Sequence, residues 1–426
     1  MSHASPVKYE VTKEIDSLTS RLGEMADMIH GYAEIGFEER KSSELLATEL
    51  GRHGFEVQKP VAGLDTAFTA TFRGKPGGPT IGFLCEYDIV AGLGHACGHN
   101  LIGVAAVGAG IALSKVVSRH GLSGTVKVFG CPCEEGFAPN AGGKIRMLNA
   151  GLFEGVDAAL MIHPHPDRYS VWGKARAREN LTVTFTGRRA LRPEARYDVV
   201  NALDAAVLTA NGLNILHQRK SPEAVLTYIV SEGGVNPNID PVRAVVRIYC
   251  RSLDMNYFKE LVEKAKNVAR GAALMVGAEV EFKQHGPTYQ PEIPNLTLTK
   301  LAHKNLLELG VEVEEPRHSA QLILNGTRTY STDFGNISQI IPAHTTYIKI
   351  GPTGEVVLHT TKAVEATRSK AGHEGMIIGA KTLALNGFDL IADTRLVEEA
   401  KRELEGYRSQ NCKHPYPISN YPNYLA

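Results

Sequence analysis

A short glycine-rich segment, Gly94-His95-Ala96-Cys97-Gly98-His99-Asn100, contains residue types that bind metal ions. Cys97 and His99 are two residues apart in a predicted loop, so both side chains can converge on one ion. A thiolate with an imidazole suits zinc or another late divalent metal, and a carboxylate ligand would also admit manganese. Asp88, shortly before this segment, would orient a ligand histidine by hydrogen bonding. The alternative is a buried cysteine beside solvent-facing histidines.

Three other positions carry metal-binding or acid–base groups. Glu134 and Glu135 follow an apolar run that ends at Gly130, and adjacent carboxylates are unfavourable unless a cation lies nearby. One of them would bind the ion while the other takes a proton from its water; the alternative is a solvated acidic turn. His163 follows another apolar run and can reach the same ion. His359 is a lone histidine, a type that is usually a surface or core residue.

Apolar runs at Thr80–Leu84, Thr125–Gly130 and Ala158–Ile162 predict buried strands, and Leu101–Val117, rich in Ala, Gly and Val, predicts a tightly packed helix. Residues 9–30 and 38–53 have apolar residues at helical spacing. This alternation favours an α/β fold, a sheet with helices on both faces. Most of the chemically active residues follow a predicted strand, which is where such sheets bind ligands.

The pattern changes at about residue 178, where a β-α-β-β-α-β order begins. Its elements are predicted at 180–186, 201–217, 224–231, 244–251, 255–276 and 278–283. This order predicts a ferredoxin-like α+β unit inserted into the larger domain. We therefore predict a catalytic domain formed by residues 1–178 and 291–426, and an inserted domain at 179–290. In the last part, helices are predicted at 296–309, 363–385 and 394–407, and a strand at 345–350.

The composition excludes several classes of protein. The 426 residues include 46 basic and 46 acidic side chains, so no overall charge attracts nucleic acid or an anionic membrane. We see no signal peptide, and no apolar run reaches the roughly 20 residues that span a bilayer. Six cysteines in a chain of this length, without an export signal, predict free thiols. We expect a cytoplasmic protein that acts on a small molecule.

Taken together, the GHACGHN segment, the Glu-Glu pair and the later strand-end histidine form a specific pattern. It resembles the co-catalytic metallopeptidase and amidohydrolase family, which includes aminoacylases, hippurate hydrolase, p-aminobenzoyl-glutamate hydrolase and hydrolases of auxin–amino acid conjugates. Gly36-Phe37-Glu38-Glu39, Asn201-Ala202-Leu203-Asp204 and Ser331-Thr332-Asp333-Phe334-Gly335-Asn336 extend the resemblance over nearly the whole chain.

The resemblance implies a role for each matching position. The metal ligands would be Cys97, His99, Glu135, His163 and His359, and Glu134 would be the general base. The inserted domain would be a lid that also forms a homodimer or a higher homo-oligomer. Asn238 matches a lid residue that contacts substrate, although a turn-forming role is the alternative. The cofactor would be one or two divalent metal ions, manganese or zinc.

One part of the lid departs from the family pattern. Family members carry a histidine after the first lid strand, which stabilises the oxyanion formed from an amide carbonyl. Here the aligned stretch is Gly187-Arg188-Arg189-Ala190-Leu191-Arg192-Pro193, with Leu191 at the histidine position. Losing one oxyanion donor typically costs ~3–4 kcal/mol of transition-state stabilisation. An ordinary peptidase would be impaired by this change.

Three interpretations follow from this departure. An amidohydrolase of N-acyl amino acids, aminobenzoyl-glutamate or dipeptides could use Arg188, Arg189 or Arg192 as the donor. A degenerate binding protein is the second, and the intact ligand and base positions argue against it. In the third the substrate has no amide carbonyl, as in deamination of 5-nitroanthranilate to 5-nitrosalicylate and ammonia. Arginines pair well with its carboxylate and nitro oxygens, although they also fit a solvated basic turn. Leu191 at the histidine position favours this third interpretation.

Both enzymatic interpretations share one mechanism, metal-assisted hydrolysis of a C–N bond. The ion lowers the pKa of a bound water to about 7. Glu134 would accept the proton of that water and deliver it to the departing nitrogen.

Overall fold

The structure is a computed structural model that describes residues 6–135, 141–189, 198–314 and 330–409. It divides into two compact units. One comprises Met1–Lys174, Glu292–Ile323 and Asp333–Ala426, and the other comprises Ala175–Pro291 and Leu324–Thr332. The second unit thus includes a short segment around Tyr330 that the sequence did not indicate. The backbone N–H of Arg176 donates to the carbonyl of Tyr330 at 2.7 Å.

The larger unit contains a mixed six-stranded sheet. Its strands are β1 (Glu56–Gln58), β2 (Phe68–Arg73), β3 (Lys75–Cys85), β4 (Ser123–Gly130), β5 (Ala158–His165) and β10 (Ala343–Lys349). They lie in the order β1-β2-β4-β3-β5-β10. Strands β4, β3, β5 and β10 run parallel to one another, whereas β1 and β2 pair antiparallel. The carboxyl ends of the parallel strands therefore meet at one edge.

Helices cover this sheet. They are α1 (Pro6–Tyr32), α2 (Arg40–Arg52), α3 (His99–His120), α4 (Gly143–Asn149), α7 (Leu296–Glu308), α8 (Phe334–Ser338), α9 (Thr361–Ala366), α10 (Lys370–Ala392) and α11 (Thr394–Ser409). Contrary to the expectation from the sequence, helices α3 and α10 are long and apolar enough to cross a membrane, but 89% and 72% of their apolar windows are buried inside the unit. They are core helices, because Leu113 of α3 and Gly387 of α10 meet around Phe83 of β3.

The smaller unit has the predicted β-α-β-β-α-β order. Its elements are β6 (Ala177–Thr186), α5 (Ala202–Arg219), β7 (Val225–Glu232), β8 (Arg243–Ser252), α6 (Met255–Val276) and β9 (Glu279–Gln284). The antiparallel sheet has the order β7-β8-β6-β9. Alternate residues such as Val183, Phe185, Val246 and Ile248 form its core with the two helices. The fold is therefore mixed α/β with a ferredoxin-like α+β unit.

Some local predictions were wrong. His163 does not follow β5 but lies within it, because the strand continues to His165. The helix predicted at 363–385 is two helices, since Ser369 caps a new helix by accepting the backbone N–H of Gly372. His99 is not a loop residue: it begins α3, directly after Gly98 at φ +76°. The elements β1, β2, α4 and α8 were not predicted from the sequence.

Candidate functional site

The site lies where parallel strands end. Strand β3 ends at Cys85 and leads into Glu86 and Asp88, and β4 ends at Gly130 and leads into Glu134 and Glu135. The neighbouring strand β5 carries His163, and helix α3 begins with His99 between these segments. Alternation along an extended chain directs residues two apart to the same side, which places Glu86 and Asp88 together. Carboxylates from two strand ends therefore surround one buried histidine.

His99 is held by Asp88. The Nδ1 atom of His99 lies 2.8 Å from Oδ1 of Asp88, and both residues are 1% exposed. The other oxygen of Asp88 accepts the backbone N–H of Glu135 at 2.9 Å. With Nδ1 engaged, Nε2 of His99 is directed toward carboxylate oxygens and has no hydrogen-bond partner. In metal sites, a carboxylate that binds one ring nitrogen of a histidine orients the other nitrogen toward the ion, and the arrangement here is the same.

Cys97 joins this cluster with residues from β5 and from the C-terminal part of the chain. Its Sγ atom lies 3.4 Å from Nε2 of His163, and Nε2 of His359 lies 3.7 Å from a carboxylate oxygen of Glu135. Three groups have ligand atoms within 4.8 Å of one another: Cys97–His99–His163, Cys97–Glu135–His359 and His99–Glu134–Glu135. The structure thus brings together every residue that the resemblance placed at the metal or base positions.

Two residues at the site have an unusual backbone conformation, with positive φ. His359 has φ +62°, and its N–H donates to the carbonyl of Ala96 at 3.0 Å, which ties it to the Cys97 segment. Cys133, just before the glutamate pair, has φ +56°. Non-glycine residues at positive φ are costly and cluster at functional sites. His95, in contrast, serves the scaffold: its Nε2 lies 3.1 Å from the carbonyl oxygen of Ile29.

Three buried charged side chains next to His99 had no role predicted from the sequence. Oε2 of Glu86 lies 3.2 Å from Nε2 of His99, and its other oxygen lies 2.7 Å from Nζ of Lys144. Lys144 also forms an ion pair with Asp333, and the three charged residues are at most 1% exposed. The signal in the sequence was the two-residue spacing of Glu86 and Asp88. Lys144 lies in α4, a helix that was not predicted from the sequence.

The charges in the cluster shift the pKa values of its members. Burial, reinforced by Glu86 and Glu135, raises the pKa of Glu134 well above its usual value. Burial would lower the pKa of His99, but Glu86 and Asp88 raise it well above the usual range. Burial lowers the pKa of His163 to about 4. Carboxylates gathered in one buried region repel each other, and a bound cation acts in the opposite direction.

The donor set fits a divalent metal ion. Nε2 of His99, Oε1 of Glu135 and Oε2 of Glu86 are buried without a hydrogen-bond partner. Unsatisfied buried polar atoms are rare and require a reason, and an ion is one. Imidazole, thiolate and carboxylate together suit zinc and manganese. The residues present can therefore hold a metal at this strand edge.

The other predicted substrate contacts belong to the smaller unit. Arg188 and Arg189 are exposed, and Arg188 pairs through its backbone with Val200. Asn238 is exposed in a turn in which its N–H donates to the side chain of Asn236 at 2.9 Å. Leu191 and Arg192 lie outside the described residues. A substrate-binding role for the arginines and Asn238 stays a prediction.

The comparisons with known proteins agree with this site. Residues 83–369 match the model of peptidase family M20/M25/M40. The chain is 34% identical to an Xaa-Arg dipeptidase from Mus musculus, over 94% of this chain and 92% of the relative. It is 30% identical to one of the two p-aminobenzoyl-glutamate hydrolase polypeptides of Escherichia coli K12, over 96% and 98%. The chain belongs to peptidase family M20/M25/M40, whose members are metallo-hydrolases of amide and peptide C–N bonds.

The fold is also found in solved structures. A dinuclear metal-binding peptidase of the M20 family from Bacillus subtilis superposes with a TM-score of 0.65 at 22% identity, covering 88% of this chain and 99% of that chain. The family resemblance drawn from the sequence is confirmed. The relatives named above cleave amides, so they support the amidohydrolase alternative better than deamination of nitroanthranilate.

Proposed function

We propose that this protein is a metal-dependent amidohydrolase that releases an amino acid from a small N-acyl or peptide substrate. One observation carries this proposal: Glu134 is buried beside the donor cluster, with a carboxylate oxygen 3.9 Å from Nε2 of His99. A carboxyl group with a raised pKa, adjacent to metal-binding groups, suits proton transfer at a hydrolytic site.

We propose that Cys97, His99, Glu135, His163 and His359 hold two divalent ions, zinc or manganese. Charge favours bound cations here. Five buried carboxylates surround one ammonium, an excess of negative charge that divalent ions would offset; these groups are Glu86, Asp88, Glu134, Glu135, Asp333 and Lys144. Buried charges without partners are strongly unfavourable. The Bacillus subtilis protein of similar fold is described as a dinuclear metal-binding peptidase, which supports a count of two ions.

Each residue of the site has a separate role in the proposed reaction. When bound, the ions supply Lewis acidity that activates water and polarises the amide carbonyl. Glu134 accepts a proton from the attacking water and transfers it to the departing nitrogen. Asp88 fixes the ring of His99 through Nδ1 and holds Glu135 through its backbone N–H. Burial of Glu134, which is 7% exposed, keeps bulk water from competing for its proton.

The relatives support this substrate class. An Xaa-Arg dipeptidase, p-aminobenzoyl-glutamate hydrolase and N-acetylcysteine deacetylase all act on amides of amino acids. Deamination of 5-nitroanthranilate is the competing candidate, and Leu191 at the position of the family's lid histidine is the observation in its favour. The amide interpretation has the wider support, with the lid arginines as candidate substitutes for the missing donor.

A direct assay separates the two activities. The full-length protein, loaded with Mn²⁺ or Zn²⁺, is incubated with dipeptides ending in arginine, p-aminobenzoyl-glutamate, N-acetyl amino acids and 5-nitroanthranilate. We expect free amino acid from at least one amide and no ammonia from nitroanthranilate above the protein-free rate. Ammonia release without amide cleavage would reverse the assignment. The Glu134→Gln variant, prepared identically, controls for contaminating hydrolases.

We also propose that the smaller unit forms a homodimer. Its sheet ends in the edge strand β7, where Ile229 is 58% exposed and Val230 is 42% exposed. An exposed apolar edge strand readily pairs with another chain. Light scattering after size-exclusion chromatography tests this, with Ile229→Lys expected to shift the protein to a monomer. A wild-type monomer would contradict the proposal.

A further inference from the structure

Glu86 is the carboxylate closest to the metal-directed nitrogen of His99. Its Oε2 atom lies 3.2 Å from Nε2 of His99, whereas the nearest oxygens of Glu134 and Glu135 each lie 3.9 Å from that nitrogen. Glu86 is 1% exposed, and its Oε2 atom has no hydrogen-bond partner. A buried carboxylate is therefore directed at the same nitrogen as the carboxylates already assigned to the site.

This separation is compatible with two ligands of a single ion. Donor atoms about 2.1 Å from an ion are about 3.0 Å apart at a right angle and about 3.4 Å apart in a tetrahedron. The 3.2 Å between Glu86 and His99 falls between these limits. Moreover, neither Oε2 of Glu86 nor Nε2 of His99 is engaged in a hydrogen bond, which leaves each of them available to an ion.

Lys144 and Asp333 account for the orientation of Glu86. The ammonium of Lys144 lies 2.7 Å from Oε1 of Glu86, which leaves Oε2 facing His99. Asp333 engages Lys144 twice, through its ammonium and through its backbone N–H at 2.9 Å. It therefore fixes both the side chain of Lys144 and the first turn of α4. The family resemblance includes the Ser331–Asn336 motif but gives no role to Asp333.

We infer that Glu86 donates a carboxylate oxygen to the metal centre, and that Lys144 and Asp333 are positioning residues that hold it toward His99. This inference rests on the proposed function, because it needs a metal centre. It adds a donor to the five positions that the family resemblance supplied. The rival explanation is that Glu86 only neutralises Lys144.

Metal binding by the full-length protein distinguishes these explanations. The variant is Glu86→Gln, which keeps the size of the side chain and removes its charge. Its matched control is Glu49→Gln, since Glu49 is also buried and paired with a cation, Arg21, but lies in α2. Both variants and the wild type are stripped of metal and titrated with Mn²⁺ or Co²⁺ alone in a calorimeter. The visible absorption of bound Co²⁺ reports the number and type of donors.

We expect Glu86→Gln to bind at least one ion more than about 100-fold more weakly, beyond the 10–100-fold that loss of an outer hydrogen-bonding partner costs. We also expect its Co²⁺ spectrum to change, while Glu49→Gln matches the wild type. A wild-type stoichiometry, affinity and spectrum in Glu86→Gln would overturn the inference and leave the proposed function intact. A wild type that binds no ion would instead remove the proposed function.

Two further variants keep the test decisive. If Glu86→Gln does not fold, Glu86→Asp retains the charge facing Lys144 but withdraws the oxygen from His99. A changed Co²⁺ spectrum in that variant then supports the inference, and an unchanged spectrum overturns it. The double variant Lys144→Met/Asp333→Asn removes one charge of each sign. We expect it to bind roughly 10–100-fold more weakly with a changed spectrum. Unaltered binding would show that Lys144 and Asp333 do not position Glu86.

Discussion

The carboxylate of Asp88 lies against the ring of His99, with 2.8 Å between Oδ1 and Nδ1. This contact fixes which ring nitrogen carries the proton and leaves Nε2 facing the buried carboxylates. The second oxygen of Asp88 accepts the backbone N–H of Glu135. One side chain therefore sets the geometry of two predicted metal ligands that come from different elements.

We predict that Asp88→Asn weakens divalent metal binding by about 10–100-fold, the usual effect of changing a partner of a ligand histidine. The asparagine retains the shape of aspartate but loses the charge that holds the Nδ1–H. Calorimetric titration with Mn²⁺ measures the effect. Asp157→Asn is the matched control, because Asp157 accepts the backbone N–H of Thr80 in the middle of β3, away from the Cys85 end. Equal affinities for the two variants would exclude the orienting role.

Most of the scaffold around these residues could be predicted from the sequence. Short apolar runs located β3, β4 and β5, because buried parallel strands have this composition. A longer run rich in Ala, Gly and Val located helix α3. The strands β1 and β2 on the antiparallel side of the sheet were missed, since β1 has only three residues and β2 mixes polar with apolar residues. His163 was placed after a strand, although Pro164 is accommodated within β5 beside β10.

We predict that Glu134→Gln abolishes turnover, lowering kcat by about 100-fold or more, while metal content stays at the wild-type value. The amide cannot accept a proton, yet it fills the same space. Glu135→Gln is the comparison, since the Glu135 carboxylate forms a candidate metal-binding group with Cys97 and His359. This variant should lose metal together with activity. Metal content by mass spectrometry and initial rates on the best amide substrate decide between them. An active Glu134→Gln variant would refute the general-base assignment.

Glu86, Lys144 and Asp333 show what a single sequence does not reveal. They are separated by 58 and 189 residues along the chain, and their contacts depend on α4 and α8 packing at the same strand edge. Only Glu86 carried a local signal, through its spacing from Asp88. Ion pairs between distant segments have no periodicity, so one sequence gives no reason to connect them.

We predict that the metal ions stabilise the folded chain. A ligand that binds only the native state adds about 2.7 kcal/mol to the free energy of unfolding at a concentration 100 times its Kd. Urea unfolding of the metal-free protein, with and without Mn²⁺ at that excess, measures the difference. The Glu135→Gln variant should show little response to Mn²⁺. Equal stabilisation of both proteins would place the stabilising ion elsewhere.

We predict that His344 makes stability fall in mild acid. Burial lowers its pKa from 6.5 to about 3, so between these values the unfolded chain binds the proton and the folded chain does not. The contribution of His344 to the free energy of unfolding is complete above pH 6.5 and is lost as the pH falls toward 3. The loss at pH 5 is about 2 kcal/mol. His344→Gln should remove this loss. Urea unfolding of metal-free protein at pH 8 and pH 5 tests it, and an identical pH dependence would contradict the prediction.

Gly98, between Cys97 and His99, has φ +76°, and a Cβ there would lie 2.5 Å from Cγ of Pro164. Gly92 has the same φ, but a Cβ there meets nothing within 4 Å. Gly92→Ala should therefore lose only the conformational contribution of about 1–2 kcal/mol. Gly98→Ala must also displace Pro164 beside His163, so we predict a larger loss in free energy of unfolding and weaker metal binding. Urea unfolding and Mn²⁺ titration of the two variants measure both effects. If Gly98→Ala binds Mn²⁺ as tightly as Gly92→Ala does, close packing of Gly98 on Pro164 does not position the ligands.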